Sequence, residues 1–97
     1  MNKMRAIHPG EILKEEYLVP LEMSANALAI ALHIPAPRIY DIIKEKRAIT
    51  PDTALRLSRY LGGDAQSWLN LQTSYDLKIA QTSLSEIEAT IRPLHVA

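Results

Sequence analysis

Cysteine is absent from this 97-residue chain. That excludes disulfide staples and thiolate metal sites, and a reducing compartment suits such a composition. Phenylalanine is absent as well, and the aromatics amount to one Trp and four Tyr, so a core has to be assembled from Leu, Ile and Ala. Glycine occurs three times and no stretch alternates β-branched with polar residues, so no strand is predicted. No apolar run approaches the roughly 20 residues of a membrane helix. The opening MNKMRAIHPGEIL has basic residues but no apolar segment before Glu11, unlike a secretory signal. The expected location is the cytoplasm, without membrane contact. Net charge is missing too, since 11 basic residues balance 11 acidic ones. Taken alone, that argues against a nucleic-acid partner.

What the chain does have is helix punctuation. Apolar residues make up 47% of it, enough for one globular domain. His8-Pro9 opens a first helix, with proline at the position whose N–H would be unpaired anyway and Glu11 at the positive helix end. Leu13 and Tyr17 share a face, and Pro20 ends the run near Val19. Ser24 is an N-cap for a second helix to Leu32. A third is predicted from about Pro37 to Glu45, with Ile39, Ile42 and Ile43 inward. Thr50-Pro51-Asp52 is the strongest start signal in the chain. It opens a fourth helix with a stripe of Ala54, Leu57 and Leu61, stopped by Gly62. Asp64 caps a fifth, AQSWLNLQTSYDLKIAQ. In the tail, Ile87 and Ile91 permit a short helix before Pro93, and the last residues are expected to fray.

The second and third helices have helix-turn-helix proportions. Leu28, Leu32, Ile34, Ile39 and Ile42 supply apolar positions at the spacing that closes two crossing helices over a third element, and Ala29 is small where they cross. Any small helical bundle can show such a stripe. The charge distribution adds the discriminating feature: residues 38–59 hold six basic residues against three acidic ones. Arg38 and Lys44 lie on the outward side of the third helix, and Lys46 and Arg47 follow it. An electrostatic footprint for phosphate is local, so it survives overall neutrality. A solvated mixed-charge face is the competing account.

With HPGEIL at 8–13, the helix-turn-helix at 24–45, KRAITPDTALRLSRYLG at 46–62 and SWLNLQTSYDL at 67–77, the chain resembles the HigA antitoxins, the VapI-like branch of the XRE-type helix-turn-helix regulators. The resemblance spans about Ile7 to Ala80. It implies an all-α, five-helix XRE/lambda-repressor-like domain over residues 1–81, with a short tail or helix over 82–97. It also implies a homodimer that represses its own operon at a double-stranded operator and neutralises a HigB-type RNase toxin, with no cofactor. The third helix then becomes the recognition helix in the major groove. Arg38 is the leading base reader, because guanidinium pairs bidentately with guanine. Ala36 and Pro37 can offer only apolar contact to a thymine methyl, and Tyr40, Asp41 and Lys44 are secondary candidates. Ser24, Asn26, Lys46, Arg47 and Thr50 are candidates for phosphate.

Three departures from the family pattern stand out. His33 stands where glycine usually makes the turn, Ala25 replaces a common glutamine, and Pro35-Ala36-Pro37 replaces polar residues. A stand-alone helix-turn-helix regulator and an interaction module that no longer reads DNA are the alternative readings.

Other constellations carry less. His8, His33 and His95 have no metal-ligand spacing. Glu15, Glu16 and Glu22 belong to a solvated face, and no nucleophile has a recognisable base, so no enzyme is expected. Trp68, Leu71 and Tyr75 fall on one helical face. They are either plain core or a dimer seam, the second being what the resemblance favours. Ala27, Ile30 and Ala31 are expected to cover the first helix rather than to form an exposed patch.

Overall fold

Four residues start the first helix. In this structure, a computed structural model that describes residues 5–94, His8 is extended (φ −75°, ψ 139°) and caps α1, Pro9–Ile12. Its Nδ1 accepts the Gly10 N–H at 2.8 Å. His95, considered above, lies outside the described residues. The helix then widens into a π-helical stretch, Leu13–Leu18, in which the Val19 N–H reaches the Lys14 carbonyl at 2.9 Å. Bonds that skip five residues stack positions five apart, so Leu13 and Leu18 enter the core together. Tyr17, expected to share the face of Leu13, packs half-buried against the same core and leans on Trp68 with ring centroids 5.6 Å apart.

Helix α2 spans Ala25–Leu32 and is capped by Ser24, whose Oγ accepts the Ala27 N–H at 3.0 Å. Helix α3 spans Ala36–Ile43, one residue earlier at its start and two earlier at its end than the sequence suggests. Pro35 (φ −62°, ψ 139°), rather than Ala36, is the residue outside the helix. The Arg38 N–H closes the first turn on the Pro35 carbonyl at 3.1 Å. A following proline disfavours the helical conformation at Ala36 without forbidding it, and Pro37 in the first turn has no intrahelical bond to lose.

At its other end α3 stops because Glu45 turns left-handed, at φ 63°. The Lys46 N–H bonds to the Asp41 carbonyl at 2.8 Å and the Glu45 N–H to that of Ile42 at 2.9 Å, which is the Schellman closure. His33 (φ 57°) closes α2 the same way, as its replacement of glycine requires, and Glu22 (φ 52°) does so after the π-helical stretch. Three successive helix ends therefore adopt the left-handed conformation without glycine, each at a steric cost.

Helix α4, Pro51–Leu61, starts at the Thr50 cap, and Gly62 (φ 90°) ends it. Helix α5, Ala65–Ala80, is capped by Asp64, whose carboxylate accepts the Ser67 N–H at 2.7 Å. A short 3-10 turn, Gln81–Ser83, leads to α6, Leu84–Thr90. Helix α2 packs on α3 and α4, α4 packs on α5, and α1 packs on α3 and α5. Between them lie Leu13, Leu28, Ile39, Ile42, Ala54 and Leu57, all fully buried, with Ala29 at 1% exposure. Gly10 permits the closest approach in the fold. A Cβ at that position would overlap the Ile42 carbonyl oxygen and stand 2.7 Å from its carbon, so α1 rests directly on the C-terminal end of α3.

The molecule measures 56 × 24 × 22 Å, because the end of α5 and all of α6 extend beyond this body. Helix α6 buries no residue, and Leu84, Ile87 and Ile91 are exposed. Ile30 is corrected as well: at 66% exposure it does not cover the first helix, because the residues of α2 that pack inward are Ala25, Leu28, Ala29 and Leu32. No helix among the described residues is long and apolar enough to cross a membrane.

Candidate nucleic-acid interface

With Ile39 and Ile42 turned fully inward, α3 presents Pro37, Arg38, Tyr40, Asp41 and Lys44 to the outside. Tyr40 and Lys44 are exposed, while Ala36, Arg38 and Asp41 are half-buried. Two of the three acids near this surface, Asp41 and Asp52, are engaged by arginines, and among the described residues Glu45, exposed after α3, is not. Asp41 Oδ2 lies 3.4 Å from Nη2 of Arg47, in the loop after α3. Asp52 Oδ2, in the first turn of α4, accepts from Arg38 Nη1 at 2.9 Å and from Arg56 Nε at 3.0 Å. These hydrogen bonds, from Arg56 first and then Arg38, hold the Asp52 carboxyl below its ordinary range. Among the described residues Lys44 and Lys46 carry no ion pair. Their ammonium groups are therefore uncommitted, the condition in which lysine binds phosphate as a point charge.

The phosphate candidates flank this helix. Ser24 and Asn26 are exposed at the start of α2. The Ser24 oxygen is occupied as a cap, and its hydroxyl proton remains available to donate. Thr50 caps α4 and shares a 3.3 Å hydroxyl contact with Thr53. Lys46 and Arg47 are exposed in the loop between α3 and α4. That loop is anchored by Gln72, a residue outside the candidates drawn from the sequence. Gln72, buried in α5, accepts the Ile49 N–H through Oε1 at 2.8 Å and donates from Nε2 to Asp76 at 3.0 Å. A polar residue four positions after Trp68 on an inward stripe was its signal. Its partner, 23 residues away, left none.

Trp68, Leu71 and Tyr75 do lie on one face of α5, but that face turns into the protomer. Trp68 is 5% exposed and has almost no surface left for a second copy. Leu71 packs against the same core, and Tyr75 meets His8 edge-on at 4.8 Å. The exposed apolar residues of α5 are Leu77 and Ile79.

Burial pushes the His8 imidazole below its ordinary value of 6.5, against the opposing pull of Glu45, Asp76 and the Arg47 backbone. The neutral ring is the form that can accept the Gly10 N–H. Because the unfolded chain takes up this proton near 6.5 and the folded one only at lower pH, His8 stabilises the fold above 6.5. That contribution is lost as pH falls through the folded value. The urea midpoint of the wild type should accordingly fall on acidification from pH 7.5. His8→Asn, which keeps a capping acceptor without a titrating ring, should show a flatter profile over that window.

A family model described as helix-turn-helix matches residues 13–68. Virulence-associated protein I of Dichelobacter nodosus is 62% identical over 90 residues, covering 93% of this chain and 83% of that protein. Antitoxin HigA-1 of Vibrio cholerae is 30% identical over 95 residues, covering 98% and 90% respectively. Among solved structures, the Pseudomonas aeruginosa antitoxin HigA with the higBA promoter superposes with a TM-score of 0.89 at 47% identity, over 94% of this chain and all of that one.

Proposed function

The chain belongs to the HigA antitoxin branch of the helix-turn-helix regulators, and from that premise we propose that it is a homodimeric autorepressor that also neutralises a HigB-type RNase toxin. The family consists of DNA-binding regulators rather than enzymes. In this reading residues 1–81 form the DNA-binding unit and α3 enters the major groove of an operator upstream of the chain's own coding sequence. Arg38, Tyr40 and Asp41 face base edges, with Ala36 and Pro37 against a thymine methyl. Lys44, at the C-terminal end of α3, joins Ser24, Asn26, Lys46, Arg47 and Thr50 in addressing the phosphates. One observation carries the proposal. The surface around α3 exposes cations while two of its three acids, Asp41 and Asp52, are each paired with arginine. Such a surface attracts phosphate without a net charge on the whole protein.

The second copy is best accommodated by the apolar residues that extend past the body. Leu77, Leu84, Ile87 and Ile91 are exposed, and apolar residues grouped in this way mark an interaction surface. A protein that binds DNA in this manner works in the cytoplasm. For the toxin, the test is co-purification with the product of the reading frame adjacent to this one, expected to be a small basic RNase-like protein. A lone repressor would bring nothing down.

For the reading helix, Arg38→Ala should weaken binding to the upstream DNA by about 1–3 kcal/mol and relax selection at one base position. Competition against duplexes substituted one base pair at a time measures both effects. Unchanged binding would remove Arg38 from the reading.

A further inference from the structure

The Arg38 side chain is not free to search for a base. It is the last member of a chain of hydrogen bonds that begins in the turn of the helix-turn-helix. The Leu32 carbonyl at the end of α2 accepts from Arg56 Nη1 at 2.8 Å, and the His33 carbonyl lies 3.4 Å from the same nitrogen. Arg56 Nε donates to Asp52 Oδ2 at 3.0 Å, and that same oxygen accepts Arg38 Nη1 at 2.9 Å. Three helices thus contribute to the aim of one guanidinium.

The geometry uses only part of what Arg38 can donate. A guanidinium has five N–H donors in a fixed fork, and the hydrogen bond to Asp52 comes from Nη1 alone. The remaining donors are enough for a bidentate contact with guanine O6 and N7. Fixing such a fork in advance reduces the side-chain entropy lost when the contact forms. A carboxylate beside a phosphate-facing surface also repels the backbone of any duplex, whatever its sequence. Only a duplex that offers Arg38 a matching base recovers that loss.

We propose that Asp52, held by Arg56, is the positioning residue for Arg38 and sets the discrimination between operator and other DNA. This rests on the reading of α3 as the recognition helix. Asp52 touches no base in this account. It aims the residue that does, and it penalises sites where that aim finds no partner. The hydrogen bonds from Arg56 and Arg38 favour the charged form of its carboxyl.

The test compares the affinities of Asp52→Asn and wild type for two fluorescent duplexes. One is taken from the DNA upstream of the chain's own coding sequence, and the other is a shuffled duplex of equal length and composition. Asparagine keeps the size and an accepting oxygen of the side chain but removes its charge. The ratio of the two affinities should fall about tenfold, the scale of one misplaced bidentate contact. It should do so through weaker upstream binding and tighter shuffled binding. In an Arg38→Ala background the same substitution should leave the ratio unchanged.

Equal changes on both duplexes would reduce Asp52 to a plain charge effect and overturn the proposal. A falling ratio that persists without Arg38 would overturn it as well, by placing the action of Asp52 elsewhere. Wild-type protein with no preference for the upstream duplex would instead reject α3 as a reading helix, and the proposal with it.

Discussion

Gly10→Ala should destabilise the protein by about 3 kcal/mol, the upper end of what overpacking costs, although the same exchange inside a helix ordinarily stabilises by about 1 kcal/mol. The sign is decided by what the added methyl meets. At Gly10 it meets the backbone carbonyl of Ile42, which overlaps the built Cβ position, and a carbonyl cannot rotate away as a flexible side chain can. Relief requires α1 to lift from the C-terminal end of α3, which uncovers Leu13 and Ile42, both fully buried. The fall should appear as a lower urea midpoint at constant slope. DNA binding should suffer as well, because Ile42 belongs to the helix proposed to read the operator. Unchanged or raised stability would show that the two helices are not in contact at this point.

The second large effect falls on binding rather than on folding. Lys44→Gln, Lys46→Gln and Arg47→Gln combined should weaken upstream and shuffled duplexes alike by about a hundredfold at physiological salt. Each neutralised phosphate releases condensed counterion with a salt slope of about 0.9, worth about 1 kcal/mol near 0.15 M salt, so three are worth about 3 kcal/mol. The slope of log affinity against log salt should therefore become shallower by about 2.7. All three side chains are exposed, and glutamine keeps most of each stem, so the fold should tolerate the change. Fluorescence anisotropy across a salt series measures both quantities. A lower affinity with an unchanged slope would mean that these residues act through something other than phosphate.

Much of the framework could be read from local chemistry. The caps Ser24, Thr50 and Asp64 each accept the N–H three residues on, as their positions in the sequence imply. Leu28, Leu32, Ile39, Ile42 and Leu57 are buried as their spacing requires. Local chemistry failed where an effect needed a partner distant in sequence. Nothing in the string shows that Gly10 faces Ile42, that Gln72 holds the Ile49 N–H, or that Asp52 reaches Arg38 as well as Arg56. Only the Asp52–Arg56 pair, four apart on one helix, was legible from spacing.

The π-helical stretch was hidden for a related reason. On an α-helix Leu13 and Tyr17 share a stripe and Leu18 falls off it, whereas the π-helical stretch buries Leu18 with Leu13 and leaves Tyr17 half-buried. Trp68 and Ile30 illustrate the remaining ambiguity. Apolar spacing identifies a face without saying whether the protomer or a partner covers it. The structure turns Trp68 inward and leaves Ile30 exposed.

Hydroxyl-radical footprinting of the wild-type protein on the DNA upstream of its coding sequence tests the central claim most directly. Two recognition helices in successive major grooves should protect two segments on one face of the duplex, centred about 10 bp apart and related by a two-fold axis. Methylation of guanine N7 within those segments should interfere with binding, as a bidentate arginine contact in the major groove requires. A duplex left evenly cleaved at low salt, where even non-specific phosphate binding is strong, would contradict the account.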